Sequence, residues 1–126
     1  MDGRTGGFDI RAVGTGVLWG LGVMALGALL HGLVGYASPL SGRTEDVLTL
    51  AVQVTGPLLG GFLAARRAAG SGWLHGALAG LTLVLAIAAV MGIGSALPTL
   101  AVVLKIAGIG TGVGALGGIV GVNSSR

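Results

Sequence analysis

Four long apolar stretches govern what this chain can fold into: residues 12–36, 47–65, 73–94 and 99–122, divided by short breaks that are polar or contain proline and glycine. Each can cross a bilayer, whose hydrocarbon core of about 30 Å takes about 20 helical residues. In lipid the backbone must satisfy its own hydrogen bonds, and apolar runs without period-two alternation suit helices rather than barrel strands. The expected fold is all-α: a polytopic membrane protein, a compact bundle of four transmembrane helices. Residues 1–126 form one membrane domain, with a short cytoplasmic N-terminus over 1–11. Composition agrees, because a water-soluble fold could not hide the apolar surface of a chain that is 53% hydrophobic, 9% charged and has a mean hydropathy of +0.97.

The basic balance reads as topology. A pI of 10.7 rests on a net charge of only +3, and no basic cluster is longer than Arg66-Arg67, so no nucleic-acid partner is expected. Arg4 and Arg11 precede span one, Arg66 and Arg67 join spans two and three, and Arg126 ends the chain, which puts all five on one side. The other side carries Arg43 beside Glu45 and Asp46 in the first loop, and an uncharged third loop around residues 94–98. The positive-inside rule then places both termini and the Arg66-Arg67 loop in the cytoplasm. A competing reading makes span one a secretory signal cleaved after Gly35-Tyr36-Ala37, but its apolar run exceeds the usual core of roughly 7–15 residues. With no cysteine there is no disulfide framework, thiolate nucleophile or cysteine metal site.

Glycine is the second constraint. Each glycine inside a helix costs roughly 1 kcal/mol relative to alanine in water, so a chain with 27 glycines, most of them within the four stretches, calls for a compensating gain. Close helix packing supplies it, because association in lipid relies on van der Waals contact and glycine lets backbones approach. On a helical wheel Gly110, Gly114, Gly117, Gly118 and Gly121 share one stripe of span four, with Gly108 and Gly112 on the opposite side. Two small faces predict that span four is central or meets a second protomer. Gly72, Gly76 and Gly80 form a glycine zipper in span three, and Gly16, Gly20, Gly56 and Gly60 are packing positions in spans one and two. Intramolecular seams and a dimerisation motif are both open readings. Gly16-x-x-x-Gly20 recurs as Gly72-x-x-x-Gly76, and Gly60-Gly61 as Gly117-Gly118, at nearly equal offsets. Duplication of a two-helix hairpin and chance recurrence in a glycine-rich chain both explain this.

Three polar side chains lie within the spans at similar distances from the external ends: His31, Gln53 and Lys105. Each shares a face with small residues, so one polar cluster is a candidate site. Pro57 cannot donate to the carbonyl of Gln53; Lys105 could, with Asp46 or Glu45 as counter-ion. The alternative is snorkelling, since Lys105 starts about 9 Å from the external end of its span. His75, next to Trp73, reads as an interfacial anchor. Thr55, Thr82 and Thr111 can bond back to their own helices.

The strings Gly60-Gly61-Phe62-Leu63-Ala64-Ala65-Arg66, Gly72 through Gly80, and Gly117-Gly118-Ile119-Val120-Gly121-Val122-Asn123 resemble the YrzE-like membrane proteins of Gram-positive bacteria. That resemblance implies a four-span protein of the bacterial plasma membrane and no assigned activity, cofactor or catalytic residue.

Two functions compete. An accessory or structural protein, binding itself or other membrane proteins through glycine faces in the lipid bilayer, accounts for the stripes. A small transporter or channel would use His31, Gln53 and Lys105, with Lys105 favouring anions. Small multidrug resistance transporters are similar in length but use a membrane-embedded glutamate, and no acidic residue lies within a span here. An enzyme is not expected, since no metal-spaced set or nucleophile pair is present; neither is a metal or cofactor.

Overall fold

The computed structural model describes residues 7–68, 70–94 and 98–124. Arg4 and Arg126 lie outside them, as does most of the third loop. Among the described residues all regular structure is helical: α1 (Ile10–Ala37), α2 (Gly42–Arg67), α3 (Gly72–Gly94) and α4 (Leu100–Asn123). All four are long and apolar enough to span a membrane.

Local chemistry sets their ends. Asp9 caps α1, its carboxylate accepting the amides of Arg11 at 2.9 Å and Ala12 at 3.3 Å. The helix stops at Ala37 because Ser38 precedes Pro39, a position biased toward the extended backbone that Ser38 adopts. α2 begins at Gly42, upstream of the apolar run, so Arg43, Glu45 and Asp46 belong to its first turns rather than to a loop. Glu45 there complements the positive helix N-terminus, and Arg66 and Arg67 complement the negative end of the last turn. Pro57 is accommodated inside α2 without ending it. Ser71 enters α3 with φ 47°, a left-handed conformation unusual for a residue with a Cβ.

α1 and α3 begin at the same end of the bundle. α2 and α3 each touch the other three helices, whereas α1 and α4 stand at opposite corners and do not touch. The central positions therefore go to α2 and α3 and not to α4. α4 lays its single stripe of Gly110, Gly114, Gly117, Gly118 and Gly121 against α2 and α3, while Gly108 and Gly112 have open space beside them.

The two hairpins cross alike. In α1–α2, a Cβ added at Gly16 would overlap the carbonyl of Gly60, and Gly20 lies at the carbonyl of Gly56. In α3–α4, Gly118 lies at the carbonyl of Gly72, Gly76 at that of Gly114 and Gly80 at that of Gly110. Between the hairpins, Gly61 meets the carbonyl of Gly114, Gly117 that of Leu58 and Gly121 that of Phe62. Helices this close leave room for only a thin core, in which Val13, Ala64 and Ala79 are buried with Val17 and Leu78 against them.

Candidate functional site

His75 is buried, with 1% of its surface exposed. Its Nε2 accepts the backbone N–H of Asp9 at 2.9 Å. That bond requires a bare Nε2, so the proton sits on Nδ1, which donates to the carbonyl of Ser71 at 3.0 Å. The ring also stacks on Phe8, with centroids 5.4 Å apart and planes at 19°. The imidazole thus ties the chain entering α1 to the first turn of α3. Every buried side-chain nitrogen or oxygen among the described residues has a partner.

Beside this tie lies an apolar groove of about 470 Å³ between α1 and α3. Phe8 and Ile10 stand at its mouth, Val13, Val17 and Leu78 along its wall, and Leu18 and Thr82 at its far end. Gly14 lines it too, and a Cβ there would meet nothing within 4 Å. Thr55 and Thr111 bond back to the carbonyls of Ala51 and Ala107 at 2.6 and 2.7 Å. Thr82 has no such bond among the described residues.

A smaller, polar depression of about 230 Å³ lies where α1 ends and α2 begins, with His31 and Glu45 on its rim together with Gly32, Gly35 and Leu40. His31 is half-buried, while Gln53 and Lys105 are exposed. The structure does not bring the three into one cluster. Residues at equal depth are neighbours only if their helices meet, and α1, which carries His31, does not touch α4, which carries Lys105. Lys105 pairs with neither Glu45 nor Asp46 among the described residues. No group of three or more metal-ligating side chains occurs among the described residues.

At the opposite end, Arg66 lies over the Phe62 ring at 5.5 Å, and Arg67 reaches Thr15 of α1 at 3.4 Å. Thr15 in turn donates to the carbonyl of Arg11 at 2.9 Å. The two arginines are therefore held on their own bundle as well as marking its charged end.

Residues 9–121 match the family described as "Protein of unknown function (DUF3792)". The chain belongs to the DUF3792 family. The DUF3792 match begins at the Asp9 cap and ends within the α4 glycine stripe, so it takes in His75, His31 and every residue lining the α1–α3 groove except Phe8. Neither a curated protein nor a solved structure matches this DUF3792 chain.

His75 is not the interfacial anchor expected of its position beside Trp73. Trp73 is exposed, but the imidazole turns inward, because Phe8 and Asp9 reach it from 66 or more residues away. The one local signal was Asp9 itself, a helix-capping residue immediately before an apolar run.

Proposed function

We propose that this DUF3792 chain is an accessory or structural protein of a bacterial plasma membrane, without enzymatic activity, that associates with another transmembrane segment through the outer face of α4. The observation that carries this reading is the grouping of Lys105, Gly108 and Gly112. They lie three and four residues apart on one helix face, all exposed, with open space at both glycines. An ammonium facing lipid within a span costs about 2.5–3.5 kcal/mol when placed at the helix centre. A second helix seated over Gly108 and Gly112 would shield it, and small residues there permit the close approach that drives association in lipid. The partner is a second copy or another membrane protein.

The resemblance to YrzE-like proteins of Gram-positive bacteria supports the plasma-membrane placement. The charge asymmetry supports a cytoplasmic location for the end bearing Arg66 and Arg67, which reporter fusions at both termini would test. A small transporter or channel with an outer-half polar cluster has less support, because His31 and Lys105 stand on helices that do not touch.

The absence of cysteine makes a decisive crosslinking experiment available. A lone thiol introduced as Gly108→Cys should give an intermolecular product in native membranes, and adding Gly112→Leu should abolish it without disturbing the bundle. Exclusively monomeric material from Gly108→Cys would rule out a second copy as the partner, and monomeric material again when the thiol carries a photoreactive maleimide, which also captures partners without cysteine, would overturn the reading.

A further inference from the structure

We infer that the α1–α3 groove is a binding site for one anionic glycerophospholipid of the surrounding bilayer, taking a single acyl chain along its wall and the phosphate at Arg11. The groove runs along one side of the contact between the two parallel helices, whose buried Val13 and Ala79 share one cluster with Val17 and Leu78 packed against it. At the mouth Phe8 stacks on His75, and at depth Gly20 meets Leu83. Between these contacts Gly14 contributes no side chain, which leaves a channel backed by Val13, Val17 and Leu78.

Its dimensions and direction suit an acyl chain. The channel runs from Ile10 to Leu18 along α1, about 12 Å at 1.5 Å per residue, and a leaflet's hydrocarbon is half of a core of about 30 Å. It opens at the end of the bundle where the basic residues gather, as a lipid with its headgroup at that surface requires. Its volume of about 470 Å³ falls within the range of roughly 300–1,000 Å³ for ligand pockets.

Charge argues for an anionic headgroup. Arg11 is exposed one residue beyond Ile10 at the mouth, and Arg67 is held nearby on Thr15. Among the described residues the one carboxylate close by, that of Asp9, is turned into the α1 N-terminus, where it accepts the amides of Arg11 and Ala12. Among the described residues the guanidinium of Arg11 has no ion-pair or hydrogen-bond partner, which leaves it available to a phosphate. His75 is then a positioning residue, holding Phe8 so that the mouth stays open.

Native mass spectrometry of the full-length protein in detergent, with phosphatidylglycerol and phosphatidylcholine of identical chains, tests the assignment. One phosphatidylglycerol should be retained per chain, preferred about fivefold per arginine engaged, the worth of a basic residue at an anionic surface. Gly14→Leu should weaken both lipids at least about tenfold, the effect of a misfit in an apolar pocket. Gly22→Leu is the matched control: Gly22 also has open space beside it but does not line the groove, and its lipid retention should not change. Arg11→Gln should erase the preference between headgroups while phosphatidylcholine binding persists. Equal retention of both lipids by the wild type would overturn the proposal, as would undiminished retention by Gly14→Leu. So would a dimer that Gly14→Leu converts to monomer, since a second copy would then be the occupant. Gly112→Leu should leave lipid retention intact, which separates this site from the α4 association.

Discussion

The imidazole of His75 and the backbone of Asp9 are joined by a 2.9 Å hydrogen bond across 66 residues of sequence, from the first turn of α3 to the cap of α1. Because α1 and α3 otherwise make the sparsest contact of any touching pair, this bond and the Phe8 stack hold that corner of the bundle. His75→Ala removes both hydrogen bonds and leaves the Asp9 amide without its acceptor. The expected loss is about 1–2 kcal/mol, the lower part of the cost of stranding a polar group that is only part-buried, read as a lower unfolding midpoint in detergent. Limited trypsin digestion should also show faster cleavage after Arg11.

The crossing points of the hairpins admit no methyl group. A Cβ added at Gly60 would lie 2.7 Å from the carbonyl oxygen of Gly16, and one at Gly118 would lie 2.5 Å from that of Gly72. Gly60→Ala and Gly118→Ala should each destabilise by about 1–3 kcal/mol through overpacking. Gly22→Ala and Gly108→Ala meet nothing within 4 Å and should leave the thermal midpoint unchanged or raised. Melting curves of the four single variants check the contrast.

Ser71 holds φ at 47° while its carbonyl accepts from Nδ1 of His75. A residue with a Cβ pays about 1–2 kcal/mol there and glycine does not, though glycine loses more entropy on folding. Ser71→Gly should therefore stabilise by about 0.5–1 kcal/mol, measurable as a higher midpoint with the helix content of the wild type.

Lys105 has no hydrogen bond or ion pair among the described residues. Lys105→Met should change the stability of the isolated chain by no more than about 0.5 kcal/mol. In liposomes the same variant distinguishes the two functional readings. An ion flux that Lys105→Met abolishes would establish transport, whereas no flux from either protein is expected of an accessory protein.

Much of the fold was legible because a transmembrane helix is a local decision. The four runs around Ala12, Val47, Trp73 and Thr99 became α1 to α4 with ends shifted by a few residues. The largest shift was at α2. Hydropathy sees the apolar run beginning at Val47, whereas a helix begins where its first-turn charges and backbone allow, and Glu45 at an N-terminus favours the earlier start. The polar residues were less legible. His31, Gln53 and Lys105 match in depth, but depth along a span says nothing about which helices are neighbours. His75 was hidden for a related reason, since its partners Phe8 and Asp9 belong to a distant segment.

By itself, then, the sequence determined that four helices form, because a chain crossing lipid must close its hydrogen bonds within each segment. Only the tertiary structure decided that α2 and α3 take the centre, that α4 turns Gly108 and Gly112 outward, and that His75 closes onto Asp9 beside an open groove. Lipid is as apolar as the helix surfaces, so hydrophobicity does not select which faces meet. Side-chain fit between segments far apart in sequence makes that selection.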